Sequence, residues 1–301
     1  MDLRLGVVTV WYGGAHNIAR FALNKKRIVR PDFLHVHVIN YLEETAEKRL
    51  RSSFPQAIFI NVGKNIGTAA AWNRAFEMLH QMSVNTLSIW DPDVELADDC
   101  FTKLAATLYS KEEIGCVGPL ILFSHDREVV QFYGGSLNTR TGIARHDYRG
   151  TRDITSLPPS RNAEYLEGGT MMLRMEAIRR AGMFDERLFI YREDADLCIR
   201  LRNVGYRTVA VRDALAWHYH VEQNKDGAPY DVFYNTRNMF YLAKKYGTKF
   251  GWISFLFRSF WIIPKRSASY IYHMAFHLLI PLWAGTFCGM LGIMGKRGWV
   301  K

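Results

Sequence analysis

Two pairs of carboxylates in this sequence could take part in chemistry. One follows a predicted strand, and the other begins a predicted helix. Asp91 and Asp93 follow the apolar segment 86–90, with Pro92 between them. Carboxylates two residues apart at the end of a strand can bind a divalent cation that bridges a diphosphate, since Mg²⁺ and Mn²⁺ prefer oxygen ligands. The tripeptide is also an ordinary turn, so on its own it favours the turn over the metal site.

The second pair, Glu193 and Asp194, begins a predicted helix. Acidic residues in a first helical turn complement the helix dipole, and that role alone would explain them. Their neighbours favour a functional role, because Gly168-Gly169 opens an apolar strand before the pair and His218 follows a strand after it. Together these residues form a constellation that is typical of an active site.

The segment 61–75 combines glycines with a helix start. Gly67 lets the backbone come close to a ligand, Thr68 can cap the helix, and a helix start can face an anion. Capped turns are common, so this segment alone indicates little. The helix has an apolar face formed by Ala71, Ala75, Leu79 and Met82.

Strands that alternate with helices must position these residues. The alternation predicts an α/β fold with a mainly parallel, doubly wound sheet, whose ligands bind beyond the carboxyl ends of the strands. Helices are predicted over 17–29 and from Thr68, and the polar stretch 124–163 is expected to form a loop that covers the active site or meets the acceptor. The predicted strands are 3–10, 35–40, 57–61, 86–90, 115–123, 170–173 and 207–211.

The composition narrows the class of protein. With 49% hydrophobic and 23% charged residues, the chain is ordinary for a globular protein. The net charge of +10 suits a nucleic acid, an anionic lipid or a phosphorylated substrate. Nucleic acid is the weakest of the three, because no nucleic-acid-binding motif accompanies the charge. The four scattered cysteines argue against a zinc site and against disulfides, and suit a reducing cytoplasm. No secretory signal precedes the first predicted strand.

The separated motifs resemble the inverting glycosyltransferases of family 2, which have the GT-A fold. The resemblance covers nearly the whole chain and is strongest over 161–220 and 61–94. In the amino-terminal half it includes an Asn-x-Gly-x-x-x-x-x-Asn element, at Asn65, Gly67 and Asn73, and an Asp-x-Asp element, at Asp91 and Asp93. The matching positions of the carboxyl-terminal half are Gly168-Gly169, Gly182-Met183-Phe184-Asp185-Glu186, the Glu193–Arg200 segment, Gly205 and His218.

The resemblance implies roles for individual residues. Asp194 would be the general base that takes the acceptor proton, and Glu193 would orient Asp194 or the acceptor. Asp93, with Asp91 and His218, would hold Mg²⁺ or Mn²⁺. The nucleotide-sugar pocket would include Thr9, Tyr12, Asn40, Asn65, Gly67, Asn73, Asp91, Gly168, Gly169 and Arg237.

One position departs from the family. The second strand of family members usually ends in an acidic residue that recognises the base, and Asn40 stands there in this chain. The choice between a uridine and a thymidine donor is therefore open. Arg237 lies in a Tyr-x-x-Arg-Asn element that the family often has; it could contact a phosphate, although a helical arginine is more often a surface charge.

The function implied by the resemblance is metal-dependent, inverting transfer of a sugar from dTDP-rhamnose or a UDP-sugar. The acceptor would be a hydroxyl of a glycan or lipid-linked glycan in bacterial surface polysaccharide synthesis. Two alternatives stay open. One is a sugar-nucleotide-binding protein of the same fold without turnover. The other is a basic protein that binds a membrane surface or nucleic acid and whose acidic cluster only caps a helix.

We expect a catalytic domain over residues 1–220, with a donor half of about 1–95 and an acceptor half of about 96–220, and a helical segment over 221–301. Residues 267–295 contain no charged side chain. This uncharged stretch is long enough to span a bilayer. Histidines, a proline and glycines dilute this stretch, and its basic flanks and tryptophans suit an interfacial helix. We favour a segment that lies on the inner face of the cell membrane, ahead of one that packs on the catalytic domain or one that spans the bilayer. The tail resembles that of rhamnosyltransferase-like members that act on lipid-linked acceptors.

Overall fold

The computed structural model describes residues 4–13, 16–23, 33–138, 143–219 and 228–298. The predicted first helix ends at Leu23, and residues 24–29 lie outside the described residues. The strands are β1 Leu5–Tyr12, β2 Phe33–Tyr41, β3 Ile58–Asn61, β4 Thr86–Ile89, β5 Val94–Leu96, β6 Ile114–Phe123, β7 Val130–Phe132, β8 Gly135–Asn138, β9 Ile143–His146, β10 Ser160–Asn162, β11 Met172–Arg174 and β12 Arg207–His218. The helices are α1 Asn17–Leu23, α2 Glu44–Ser53, α3 Thr68–Gln81, α4 Cys100–Ser110, α5 Met175–Ala181, α6 Glu193–Asn203, α7 Pro229–Tyr246, α8 Lys249–Tyr272 and α9 Leu279–Leu291.

The chain forms two compact units. The first comprises Met1–Ser136, His146–Asp185 and Asp194–His220. The second comprises Val221–Lys301 together with two segments that the sequence analysis assigned to the catalytic domain, Leu137–Arg145 and Glu186–Glu193.

The first unit is built on a sheet with the strand order β10-β12-β6-β11-β4-β1-β2-β3. The four strands β3, β2, β1 and β4 are parallel, and so are β6 and β12. β11 runs antiparallel between β4 and β6, so those two strands point the same way. The carboxyl ends of β1, β4 and β12 therefore share one edge with the amino end of β11. The predicted α/β class and the mainly parallel sheet are confirmed.

Helix α3 packs closely on β1. Its predicted apolar residues Ala71, Ala75 and Leu79 are buried, whereas Met82 lies just beyond the helix and is 41% exposed. A Cβ on Gly6 of β1 would come within 2.6 Å of Leu79 Cδ1. The glycine thus lets the carboxyl-terminal part of the helix approach the sheet at the start of β1.

The stretch 124–163 differs from the expected loop. It contains β7, which pairs with β6, and β10, which pairs with β12. Tyr133 is buried, and its hydroxyl donates to the carbonyl of Pro158 at 2.6 Å. Short strands with few apolar residues have a weak periodicity, so polarity alone suggested a loop.

In the second unit, helices α7 and α9 are in close contact. A Cβ on Gly285 would lie 2.6 Å from the Phe233 carbonyl oxygen, and one on Gly289 would lie 2.6 Å from that of Arg237. Small residues four apart allow this approach of two helices. No helix among the described residues has both the length and the apolar character that a bilayer span needs. The uncharged stretch 267–295 is divided between the end of α8, a 3-10 turn at Phe276–Leu278 and the 13-residue α9.

Candidate active site

The aspartate turn, residues Asp91–Asp93, follows the carboxyl end of β4. Its conformation is set by buried Trp90, whose indole N–H donates to the Val94 carbonyl at 2.7 Å. The Val94 amide donates to the Asp91 carbonyl at 3.2 Å and so closes the turn. The Asp93 carbonyl accepts a hydrogen bond of 2.8 Å from the Tyr219 amide, just after β12. The turn is thus held by backbone bonds at the edge of the sheet.

The glycine pair Gly168-Gly169 brings the two predicted carboxylate pairs to one place. It precedes β11 at the same edge of the sheet, and the Asp91 amide donates to the Gly169 carbonyl at 2.9 Å. A Cβ on Gly169 would lie 2.4 Å from Asp91 Oδ2, and one on Gly168 would lie 3.4 Å from Asp194 Cβ. Because these positions have no side chains, Asp91 and Asp194 pack against neighbouring residues, Gly169 and Gly168, of one backbone segment.

Asp194 stands at the amino end of α6 and accepts hydrogen bonds from backbone amides. Its Oδ2 accepts from the Gly168 amide at 3.1 Å, and its Oδ1 accepts from the Ala195 amide at 2.6 Å. Its neighbour Glu193 is buried. Asp196 has a different role, because it is fully buried and forms an ion pair of 2.8 Å with Arg200 on the same helix.

The carboxylates of this site act on one another electrostatically. Burial, and after it the charge of Asp93, raises the pKa of Asp91 to about 7. Burial likewise raises the pKa of Glu167 to about 7, and the charges of Asp194 and Asp93 act in the same direction. Since Asp93 and Asp194 both influence Asp91 and Glu167, the four carboxylates belong to one acidic site.

His218, the last residue of β12, contacts this site through Asp93. Its Nε2 lies 3.4 Å from Asp93 Oδ2, and its Nδ1 lies 2.9 Å from Gln131 Nε2. Burial by itself would lower the pKa of His218, but the hydrogen bond to Asp93 and the negative charge of that group outweigh burial, so the pKa is raised. We define Asp91, Asp93, Glu167, Asp194 and His218 as the acidic cluster.

The oxygen donors of the acidic cluster would suit a divalent cation only if other ligands came from a substrate or from water. Among the described residues, no three histidine, cysteine, aspartate or glutamate side chains form a ready metal-binding group. Mg²⁺ at phosphate sites often takes one or two carboxylates and fills its other positions with phosphate oxygens and water. The raised pKa values of Asp91 and Glu167 indicate carboxylate charge that a cation would compensate.

Three predicted pocket residues form a network at the carboxyl end of β2. The Asn40 amide donates to Asn65 Oδ1 at 3.1 Å, and Asn40 Oδ1 accepts from the Ile66 amide at 2.8 Å. Asn65 Oδ1 also accepts from the Gly67 amide at 3.0 Å. Asn40 is 3% exposed, so its side chain shapes the turn before α3. Tyr12, at the end of β1, is exposed and lies beside Tyr41.

The structure gives three other predicted pocket residues internal partners. Thr9 is fully buried, with its hydroxyl 3.3 Å from His35 Nε2. The Asn73 side chain binds the backbone of Phe184, donating to its carbonyl at 2.9 Å and accepting from its amide at 3.0 Å. Arg237, in the second unit, is fully buried, and its guanidinium donates to the carbonyls of Leu188 and Gly295. In this structure the polar groups of these side chains serve the fold.

Glu167 and Gln131 are site residues that the sequence analysis missed. Glu167 precedes the glycine pair, and Gln131 contacts the ring of His218. The position of Glu167 beside Gly168 was a usable signal, because the residue before a glycine that packs against the site must lie near the site as well. Gln131 is on β7, which was expected to be a loop, so no pattern pointed to it.

The segment that leads into Glu193 has an unusual backbone. Phe189, Tyr191 and Arg192 have φ values of 66°, 66° and 67°, in the left-handed region. We call Phe189–Arg192 the left-handed loop. Non-glycine residues in this region cost about 1–2 kcal/mol each relative to the right-handed conformation. Such conformations persist only where surrounding contacts enforce them, and they cluster at functional sites.

Comparisons with known proteins agree with this geometry. The pattern that defines the "Glycosyltransferase like family 2" matches residues 30–228. The chain is 24% identical over 266 residues to an N-acetylglucosaminyl-diphospho-decaprenol L-rhamnosyltransferase of Mycobacterium tuberculosis, covering 82% of this chain and 86% of that protein. It is also 24% identical over 194 residues to a dTDP-rhamnosyl transferase of Shigella flexneri, covering 62% of each chain.

Solved structures share the fold. A mannosyltransferase from Pyrobaculum calidifontis in complex with GDP-Man and Mn²⁺ has a TM-score of 0.58 at 13% identity, over 97% of this chain and 88% of that chain. GalNAc-T7 with UDP, GalNAc and Mn²⁺ has a TM-score of 0.62 at 15% identity, over 80% of this chain and 48% of that chain. The resemblance predicted from the sequence motifs is confirmed. Because the family pattern spans most of the chain, this protein belongs to glycosyltransferase family 2, has the GT-A fold and is a glycosyltransferase.

Proposed function

We propose that this protein is a metal-dependent, inverting glycosyltransferase that uses a nucleoside-diphosphate sugar. The observation that carries the proposal is the meeting of the aspartate turn, the glycine pair and Asp194 at one edge of the sheet. Ligands of open α/β sheets bind at this edge. Because the glycine pair has no side chains, its backbone packs directly against Asp91 and Asp194, and both carboxylate groups border the same segment.

In the proposed reaction, Asp194 acts as general base. It takes the proton from an acceptor hydroxyl while that oxygen bonds to the anomeric carbon of the donor sugar. The bond from the anomeric carbon to the diphosphate breaks, and the diphosphate leaves with the bonding electrons. Attack opposite the leaving group inverts the anomeric centre. General-base catalysis of this kind contributes a factor of about 10²–10⁴ in rate.

The aspartate turn would serve the leaving group. Asp93, with Asp91 and His218, would hold Mg²⁺ or Mn²⁺, which neutralises charge on a departing diphosphate. Both structural neighbours described above contain Mn²⁺, which supports a divalent ion here. Glu167 would complete the acidic wall of the site, and Glu193 would orient Asp194 or the acceptor.

The relatives support a rhamnosyl donor. Both sequence relatives are named as rhamnosyltransferases, and one name contains a decaprenol-linked acceptor. We therefore favour dTDP-rhamnose, with a UDP-sugar as the second candidate, and a glycan or lipid-linked glycan acceptor in surface polysaccharide synthesis. The neutral Asn40 network would face the base in place of the carboxylate that family members usually have there.

An acceptor of this class would place the protein at the inner face of the cell membrane, and helix α8 fits that location. One face of α8 is buried through Gly251, Phe255, Ser259 and Ile263. The opposite face exposes four large apolar residues spaced by three or four positions, Phe250, Ile253, Phe257 and Phe260. Aromatic side chains beside cations are typical of interfacial helices.

The charge of the carboxyl-terminal segment 232–301 favours contact with an anionic surface. All charged residues between Val232 and Lys301 are lysine or arginine. Arg258 and Lys265 are exposed on α8 itself. Each basic residue near an anionic leaflet contributes about 1 kcal/mol to binding. We propose peripheral contact with anionic lipid from the cytoplasmic side.

A screen of nucleoside-diphosphate sugars tests the catalytic proposal. Thermal unfolding would be followed with dTDP-rhamnose, UDP-sugars and GDP-mannose, with and without Mn²⁺, and active donors would then be tested for transfer. A ligand that binds only the folded state raises the melting temperature, so we expect a shift for dTDP- or UDP-compounds that is larger with Mn²⁺. Binding without transfer to any lipid-linked or free glycan acceptor would favour a non-catalytic protein. The absence of a nucleotide-dependent shift would contradict the proposal.

A further inference from the structure

Helix α7 carries two adjacent polar residues that are completely buried, Arg237 and Asn238. Fully buried arginine is rare unless its donors are satisfied. The Arg237 Nε donates to Asn238 Oδ1 at 2.9 Å, so the two side chains form one unit. We call them the buried pair.

Most of the remaining donors of the buried pair point at one short segment of backbone, while Arg237 Nη1 donates to the Gly295 carbonyl. Arg237 Nη2 donates to the Leu188 carbonyl at 2.7 Å. Asn238 Nδ2 lies 3.0 Å from the Leu188 carbonyl, 2.8 Å from that of Ile190 and 2.7 Å from that of Tyr191. The two side chains therefore hold the carbonyls on both sides of Phe189.

This segment is the left-handed loop and the turn before it. Its carbonyls point toward α7 because of the positive φ values at Phe189, Tyr191 and Arg192. No repeating backbone ladder is available to such a loop, so side chains must supply the donors. Two more contacts from α7 hold it: the Tyr191 hydroxyl donates to Asp231, and Arg192 Nε donates to the Asn235 carbonyl at 3.3 Å.

The loop ends at Arg192, and the next two residues are Glu193 and Asp194. The loop is therefore joined directly to the first residue of α6, Glu193. Arg237 of the Tyr-x-x-Arg-Asn element, a predicted phosphate contact, donates in this structure to Asn238 and to the carbonyls of Leu188 and Gly295.

We propose that Arg237 and Asn238 are positioning residues for the general base, and that they act by holding the left-handed loop. The inference rests on the proposed function, because it assigns Asp194 its role in transfer. Neither side chain needs to touch a substrate.

The test compares Asn238→Ala with a matched control, Thr236→Val. Thr236 is on the same helix and 1% exposed, and its hydroxyl has no hydrogen-bond partner among the described residues. Asn238→Ala should lower kcat per folded molecule about 100-fold, the effect of a small misplacement of a catalytic group. The KM for the donor should stay within about threefold, since ground-state binding is not altered. Thr236→Val should keep the native kcat.

A double variant separates positioning from general destabilisation. If Asn238 acts through Asp194, then Asp194→Asn with Asn238→Ala should have a kcat within about threefold of Asp194→Asn alone. Arg237→Lys, which keeps the charge and loses the planar fork, is the second variant should Asn238→Ala fail to fold. Native kcat in a folded variant, or multiplicative losses in the double variant, would overturn the proposal.

Hydrogen–deuterium exchange of the peptide spanning residues 187–193 supplies a readout that needs no turnover. We expect faster exchange there in Asn238→Ala than in the wild type or in Thr236→Val. Unchanged exchange would overturn the role of the buried pair whatever the activity. A wild-type protein without transfer activity would instead overturn the proposed function, so the two failures are distinguishable.

Discussion

The aspartate turn and the segment that carries Asp194 both present carboxylates, yet they are supported in different ways. Backbone hydrogen bonds at the edge of the sheet hold the aspartate turn, and the indole of Trp90 supplements them. The left-handed loop that precedes Asp194 pairs with no strand in the described part of the chain, and side chains of α7 hold it. The comparison shows that neighbouring carboxylates can be supported by different means, the aspartate turn by backbone bonds and the segment before Asp194 by side chains.

The largest expected effect is on the base. Asp194→Asn keeps the shape of the side chain and removes its ability to take a proton. We expect kcat to fall by at least about 10²–10⁴, the contribution of general-base catalysis, while nucleotide binding by thermal shift stays near native. Near-native turnover would remove Asp194 from the catalytic role.

The control for this variant is Glu112→Gln. Glu112 is an exposed carboxylate before β6, at the opposite edge of the sheet from His218. It should leave both kcat and nucleotide binding unchanged.

The glycine pair gives the next largest effect. In Gly169→Ala the new Cβ would lie 2.4 Å from Asp91 Oδ2, so the aspartate turn must move. A displacement of this size can cost about 100-fold in activity, and we expect the loss in both kcat and donor affinity. Gly298→Ala is the control, because a Cβ there meets no atom within 4 Å. Native kinetics in Gly169→Ala would show that the contact does not shape the site.

Asp93→Asn tests the metal side alone. We expect the concentration of Mn²⁺ that gives half-maximal activity to rise by at least about tenfold, the scale seen even for residues that only support metal ligands. Asp194→Asn should leave the Mn²⁺ dependence of nucleotide binding unchanged. Equal Mn²⁺ dependence in wild type and Asp93→Asn would separate the aspartate turn from metal binding.

Part of the candidate site could be predicted from the sequence. The strands that carry Asp91 and His218 are apolar runs, and parallel strands bring their carboxyl ends to one edge, so this part of the site followed from pattern. The glycine pair was a usable signal for the site, because its contacts with Asp91 and Asp194 lie at that same edge of the sheet.

The support of the left-handed loop could not be predicted. Phe189, Tyr191 and Arg192 are residue types that give no warning of positive φ. Arg237 and Asn238 lie almost fifty residues further along the chain, and their amphipathic helix gave no indication of which buried polar groups they meet. Because the buried pair and the left-handed loop are so far apart in the sequence, their contact could be found only from the structure.

The smallest expected effect concerns the second unit. Phe257 and Trp261 are 69% and 82% exposed on α8, so changing both to serine should leave the melting temperature nearly unchanged. Binding to vesicles that contain phosphatidylglycerol should fall about tenfold or more, because burying one large apolar side chain contributes about 1.5–3 kcal/mol.

Leu23→Ser is the matched control for the vesicle experiment, since Leu23 is 83% exposed in the first unit. It should not change vesicle binding. Equal binding of the double serine variant and the wild type would contradict the proposed membrane face of α8.

The central claim is that the aspartate turn and Asp194 serve a single reaction at one edge of the sheet. A crystal structure of the wild-type protein with Mn²⁺ and the nucleoside diphosphate found in the donor screen tests it most directly. We predict an anomalous Mn²⁺ peak bonded to Asp93 and to diphosphate oxygens, with the diphosphate on the same side of the glycine pair as Asp194. A nucleotide bound elsewhere, or a Mn²⁺ ion that does not contact the aspartate turn, would contradict this account.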